Sequence, residues 1–258
     1  MIDSHAHVMF DTFAPDRPAV VKRARAAGVK WIEIGTDIDS SKKAVAFAQK
    51  HEGVWATVGV HPSDYAELSE AGWQELEQLL QHDKVMAVGE VGLDFYRGGQ
   101  LEEQLPILKR FLDLATKHHL PVVFHVRDGK ESAHEPMIMF LHSLAREQRP
   151  RGVMHTFSGN QTQAYAYLDL GMYLSFSGVV TFKNSGVVAD IARTMPLERA
   201  LIETDCPFLA PEPYRGKRNE PAYLTYVASK IAALRQIPTA EVERITEENT
   251  RSLFKLAT

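Results

Sequence analysis

Eight short runs of apolar and β-branched residues recur along the chain, at 1–4, 29–35, 54–60, 85–89, 121–125, 152–155, 172–175 and 200–203. Amphipathic stretches long enough for helices separate them. The stretch 18–27 stops at Gly28, a fitting helix end, and 101–119 carries apolar residues at helical spacing. The run Pro121-Val122-Val123-Phe124 is apolar at successive positions, as expected of a parallel strand buried on both faces. Strand–helix alternation predicts a parallel sheet joined by right-handed crossovers. Eight repeats favour closure into a single (β/α)8 barrel of the TIM type, with 1–258 as one domain, because about 250 residues is typical of that fold. The alternative is an open doubly wound sheet, which wants a glycine-rich phosphate loop after its first strand. That position holds His5-Ala6-His7 instead. No low-complexity tract, linker or solenoid period interrupts the pattern.

Side chains two apart on an extended strand share a face, so His5 and His7 can aim both imidazoles at one point. The other candidate ligands follow apolar runs of their own: Glu90 after the fourth, His125 after the fifth, His155 after the sixth and Asp205 after the eighth. In a closed barrel those strand ends ring one face, where such folds place their active sites. Four imidazoles and two carboxylates exceed the needs of one tetrahedral zinc ion. They suit two ions roughly 3.5 to 4 Å apart that share a carboxylate and a water. Glu90 is the natural bridge, one oxygen to each ion. The donor types are compatible with magnesium, manganese or zinc. The expected chemistry is therefore metal-assisted hydrolysis.

The remaining histidines divide. His51, His82, His118, His119, His134 and His142 fall in helical or loop segments and are expected to be solvated or capping. His61 ends a strand, where substrate contact and loop packing are equally open. Asp94, Tyr96 and Arg97 follow Glu90 closely and either touch substrate or rigidify their loop. Arg127 lies two residues beyond His125 and so on the same strand face. With Arg215, Lys217 and Arg218 it is a candidate phosphate contact.

Composition narrows this little further. Hydrophobic residues make up 45% and charged residues 24% of the 258, as in a globular protein with a sizeable core. No apolar run approaches the roughly 20 residues of a membrane span, and no signal-like start is present. The single cysteine, Cys206, excludes an internal disulfide and fits a reducing cytoplasm. We therefore expect a cytoplasmic protein with no membrane association and no obligate protein partner. A net charge of −4 gives no global field that draws in nucleic acid. A polyanionic substrate must be held by local basic residues or by metal.

Several segments together resemble the signatures of the TatD family of metal-dependent deoxyribonucleases, in the amidohydrolase superfamily. They are Asp3-Ser4-His5-Ala6-His7, Gly89-Glu90-Val91-Gly92-Leu93-Asp94-Phe95-Tyr96-Arg97, His155-Thr156-Phe157-Ser158-Gly159 and Glu203-Thr204-Asp205-Cys206-Pro207. Arg215-Gly216-Lys217-Arg218-Asn219-Glu220-Pro221 resembles the family motif after the last strand, so the likeness runs from residue 3 to about 221. Two departures are His61-Pro62-Ser63-Asp64, where many members carry a second histidine or another small residue after the proline, and Cys206, where alanine or serine is common. The resemblance implies that His5, His7, Glu90 and Asp205 bind one ion and that Glu90, His125 and His155 bind the other. It also implies hydrolysis of DNA phosphodiesters, typically 3′ to 5′ from single-stranded ends, with magnesium, manganese or zinc.

Glu90 and Asp205 are the candidate catalytic carboxylates: Asp205, not needed as a bridge, either orients the attacking water and takes its proton or serves as a ligand only, with hydroxide already formed by the metals. Two other functions use the same residues. Metal-assisted cleavage of amides or esters, including aminoacyl groups on tRNA, needs the same Lewis acid. Superfamily amidases often bridge their ions with a modified lysine, and Glu90 at that place argues against that subgroup. A scaffold with a vestigial site would lack a ligand, and none is missing.

Overall fold

The computed structural model describes residues 1–97 and 99–256. Eight parallel strands run in sequence order around one sheet. They are β1 (Ile2–Ala6), β2 (Lys30–Glu33), β3 (Val54–Val58), β4 (Val85–Asp94), β5 (Val122–Arg127), β6 (Gly152–Met154), β7 (Tyr173–Phe176) and β8 (Ala200–Ile202). The ring closes between β1 and the segment after β8: Ala6 bridges Cys206, Asp205 N–H donates to His5 O and His7 N–H to Cys206 O, both at 2.9 Å. The expected (β/α)8 barrel is thus formed, and the open-sheet alternative is set aside.

The helices between the strands are α1 (Arg17–Ala26), α2 (Ile38–Lys50), α3 (Glu70–Leu79), α4 (Leu101–Lys117), α5 (His134–Ser143), α6 (Gln161–Asp169) and α7 (Gly186–Thr194), followed after β8 by α8 (Leu224–Arg235) and α9 (Thr239–Phe254). Period-2 alternation sorts the strand residues between two cores. On β5, Val122 and Phe124 face the helices, while Val123 points into the barrel. Its inward neighbours are Ile2, Ile32, Ile34, Ala87, Val153, Tyr173 and Leu201, and Leu253, Phe254 and Leu256 close this end. Burying each large apolar side chain there contributes roughly 1.5–3 kcal/mol. The C-terminal helix is therefore a plug for the barrel floor.

Several strands run further than their apolar patterns suggested. β4 extends to Asp94 and β5 to Arg127, so Glu90 and His125 lie within strands, as does His5 on β1. Two of these strands break their own alternation. The register slips between Asp3 and Ala6 on β1 and between Val88 and Val91 on β4. Ile2 and Ala87 face inward, so strict alternation would turn His5, His7 and Glu90 outward; each slip reverses that parity. Gly92 then lets β4 approach β5: a Cβ there would lie 1.8 Å from His125 O, and its φ is +156°. Among the described residues no helix is long and apolar enough to cross a membrane.

Candidate metal centre

The inward positions change character toward the C-terminal ends of the strands. Above the apolar floor lie Ser4 and Ser175, whose hydroxyls are 3.1 Å apart. Above them stand the imidazoles and carboxylates, and all of these but the fully buried His5 line a cleft of about 510 Å3. Continuing β5 by twos from Val123 passes His125 and ends at the exposed Arg127 on the rim.

Glu90 is the centre of the cluster. Its Oε2 lies 3.2 Å from His5 Nε2, while its Oε1 lies 2.8 Å from His125 Nδ1 and 2.9 Å from His155 Nε2. On the first side, Asp205 Oδ1 is 3.7 Å from His5 Nε2 and 3.5 Å from His7 Nε2, and those two nitrogens are 3.2 Å apart. On the second side His125 Nδ1 and His155 Nε2 are 3.1 Å apart. His5 and His155 join the two sides by stacking at 4.0 Å.

Contacts behind the cluster decide which nitrogens are free. His7 Nδ1 sits 3.0 Å from Ile34 O, an acceptor, so it carries the proton and leaves the Nε2 lone pair facing Asp205. His155 Nδ1 makes no hydrogen bond among the described residues, but it lies 3.3 Å from the Glu203 Oε1 carboxylate oxygen, whose charge favours the proton on that nitrogen. Carboxylate or carbonyl partners of this kind orient metal-bound histidines. Lone pairs and carboxylate oxygens thus converge on two points flanking Glu90, an arrangement that needs positive charge. The residues present fit divalent ions.

The charges respond to one another. Burial alone would raise the Glu90 carboxyl, but the imidazoles of His155, His5 and His125 outweigh it and hold it well below the usual range. Burial would lower His155, yet Glu90 and Glu203 lift it well above an ordinary histidine. Glu203 is likewise pulled down to about 2 against its burial, mainly by His155.

Residues 2–255 match the family described as TatD related DNase. The chain belongs to the TatD family. It is 36% identical to an uncharacterized metal-dependent hydrolase, YabD, of Bacillus subtilis (strain 168), over 99% of each chain. It is 34% identical to the 3′-5′ ssDNA/RNA exonuclease TatD of Klebsiella pneumoniae (strain 342), over 98% of this chain and 97% of the relative. Among solved structures, the TatD homologue YjjV of Escherichia coli K12 superposes with a TM-score of 0.90 at 31% identity, covering 100% of this chain and 98% of that one. The protein is accordingly a metal-dependent hydrolase.

For a TatD hydrolase several supporting residues escaped sequence reasoning. Glu203, besides orienting His155, accepts from Thr156 N at 2.6 Å and Thr156 Oγ1 at 2.5 Å. Asp3, fully buried, accepts from His5 N, Thr204 N and Thr204 Oγ1, tying the His5 strand to the loop that presents Asp205. Burial pushes the Asp3 carboxyl up to about 8. Both residues stand two positions from a candidate ligand, and that spacing was the available signal.

The proposed substrate contacts scatter. His61, Arg97 and Arg127 line the cleft. Asp94 is buried beneath it, with Oδ2 3.1 Å from His125 Nε2 and Oδ1 accepting from Arg97 N. Tyr96 stands outside the cleft lining, 65% exposed, with the Arg127 guanidinium 3.9 Å over its ring. Arg215 and Arg218 do not line the cleft: Arg215 covers Phe182, and Arg218 donates to Thr12 O and to Asp16 Oδ2. Lys217 lies over the ring of Tyr214. Asp16 already supplies the counter-charge of Arg218, at 2.7 Å. Phe10 and Phe208, unremarked in the sequence, wall the cleft, and Phe10 stacks on His7 at 4.6 Å.

His134 is corrected. It is 1% exposed and neither solvated nor a cap, because its Nδ1 pairs with Tyr167 Oη at 3.1 Å beneath α5 and α6. His118 is the C-cap residue of α4, as the capping expectation had it, and its Nε2 lies 3.1 Å from Glu77 Oε1.

Proposed function

We propose that the protein hydrolyses phosphodiester bonds of single-stranded DNA from the 3′ end, using two divalent ions, magnesium, manganese or zinc. His5, His7, Glu90 and Asp205 hold the first ion, and Glu90, His125 and His155 hold the second. The observation that carries this reading is the division of Glu90: its two oxygens face two different sets of imidazoles. A carboxylate serving one ion would have no reason to be shared in this way. The exonuclease name of the Klebsiella relative supports the choice of bond.

When bound, such ions lower the pKa of a water and neutralise charge on phosphoryl oxygens. The side chains supply the rest. Asp205 is the carboxylate of the cluster most open to the cleft, 13% exposed against 5% for Glu90. It orients the attacking water and accepts its proton at Oδ. Glu203 and Ile34 O keep His155 and His7 in the tautomer whose Nε2 is free. Arg97 and Arg127 on the rim contact the phosphates of the incoming strand. Phe10 and Phe208 wall the cleft beside them and suit a nucleobase face.

Metal-depleted protein should be tested on end-labelled single- and double-stranded DNA, with each ion restored separately. Shortening of single strands from the 3′ end, dependent on metal and abolished by chelator, is expected. Hydrolysis of aminoacyl esters or amides, with no nucleic acid cleaved, would replace this reading with the carbonyl one.

A further inference from the structure

His61 belongs to a third cluster of metal-ligand types, with Asp94 and His125, whose donor atoms lie within 4.8 Å of one another. The contacts behind it differ in kind from those behind His7 and His155. His61 caps the 3-10 turn Pro62–Glu67, and its Nδ1 accepts from the backbone N–H of Ser63 at 3.1 Å. Ser63 Oγ lies 2.7 Å from the same nitrogen, and Ser63 Oγ in turn accepts from Arg97 Nη1 at 3.2 Å. The Ser63 backbone N–H can only donate, so His61 Nδ1 is the acceptor, and Ser63 Oγ, which accepts from Arg97, directs its own proton to the same nitrogen. Two donors therefore face His61 Nδ1, which must hold a lone pair. The proton of a neutral His61 is then on Nε2.

That N–H faces the cleft, and among the described residues no acceptor lies at short range. Glu90 Oε1 and Asp94 Oδ2 are each 3.9 Å away, beyond hydrogen-bonding distance. His61 is 7% exposed, so its ring is held in place by the surrounding protein. We infer that His61 is not a metal ligand but a fixed hydrogen-bond donor, presenting Nε2–H to an anionic phosphoryl oxygen of the substrate. The inference rests on the phosphodiester reading for the identity of that oxygen, and on the hydrogen bonds of Ser63 alone for the tautomer. It also gives Ser63 and Arg97 a role: they orient the ring without touching the reacting atoms.

Long-range proton–nitrogen correlation spectra of the Mg2+- or Zn2+-loaded wild-type protein read the tautomer directly. His61 Nδ1 should resonate as unprotonated and Nε2 as protonated, and inorganic phosphate should shift the Nε2–H proton. His61→Ala should keep the wild-type metal content and lose about 10²-fold in kcat/KM on a phosphodiester, the usual cost of one oxyanion donor. His61→Gln, whose amide N–H reaches a similar point, should recover part of that loss. An unprotonated Nε2, or the loss of a metal equivalent in His61→Ala, would make the residue a ligand and overturn the proposal. So would an Nε2–H indifferent to phosphate together with an unimpaired His61→Ala. If the wild-type protein cleaves no phosphodiester, the function proposed above fails, while the tautomer and the phosphate titration still decide the role of His61.

Discussion

The two ends of the barrel use the same strands for opposite purposes. At the floor, Ile2, Val123, Val153 and Leu201 meet Leu253 and Phe254 in an apolar plug. Two residues further along, β5 and β6 present His125 and His155, and the segment after β8 presents Glu203, in a buried network of charge. The floor is held by burial of apolar area, which is non-directional and insensitive to protonation. The rim is held by groups whose charge is costly to bury and which persist there only because each has a partner of opposite sign or a suitable donor. One end stabilises the fold; the other carries the chemistry.

Glu90→Gln breaks the rim most severely. A neutral amide cannot neutralise cations on both sides, so if the proposed pair of ions is right, metal analysis should show weakened binding of both. Loss of several kcal/mol of charge stabilisation corresponds to a fall in activity of about 10³-fold or more. The melting transition of the metal-free protein should remain cooperative, because the floor is untouched. Two full metal equivalents in this variant would contradict the bridging role.

Phe254→Ala attacks the opposite end. Emptying that position in the plug should cost roughly 3–5 kcal/mol in denaturant unfolding. The folded fraction should keep its metal content and its KM. A variant that loses metal without losing stability would mean that the two ends are not separable.

Glu203→Gln tests how far the rim depends on its supporting carboxylates. It leaves His155 in place but removes the charge behind it, and metal affinity should fall about 10- to 100-fold by titration with a competing chelator. Affinity equal to wild type would show that His155 Nδ1 needs no anionic partner.

The smallest effect concerns pH. Glu33 is buried beside the rim, where Trp31 Nε1 and Met9 N donate to it, yet burial prevails and lifts its carboxyl to about 7. Between about 4.5 and 7 the folded protein holds a proton there that the unfolded chain has released, so this contribution to stability falls as pH rises through that window. Melting temperatures of metal-free wild type should decline across it by a few degrees more than those of Glu33→Gln, at about 2–4 °C per kcal/mol. Phe254→Ala, by contrast, should lower the melting temperature equally at every pH. A Glu33→Gln profile parallel to wild type would show that Glu33 is already ionised.

Much of the architecture was legible because the period of a parallel strand and the length of a crossover helix are local properties. The runs at 121–125 and 152–155 announced β5 and β6, and the continuously apolar run before His125 announced burial on both faces. The plug was not legible, since nothing in 239–254 distinguishes a helix that covers the floor from one that covers a flank. Nor was the fate of the basic loop: Arg218 lies close in sequence to the site but is paired with Asp16, a partner some 200 positions earlier.

By itself the sequence determined the donor types, their order and their assignment to successive strands. Barrel closure does the rest, because strands adjacent in sequence become adjacent in space and their C-terminal ends share one rim. Only the tertiary structure decided which way those donors face. Alternation from Ile2 and Ala87 would have pointed His5, His7 and Glu90 at the helices, and the slips on β1 and β4 that turn them inward are properties of paired strands, not of either strand alone. The same holds for the histidine tautomers. His7 and His155 free their Nε2 because an oxygen acceptor from another segment, Ile34 O or Glu203, lies behind Nδ1, whereas Ser63 sets His61 the other way. A ring nitrogen carries a proton or a lone pair according to what stands next to it, and that neighbour is fixed by the fold.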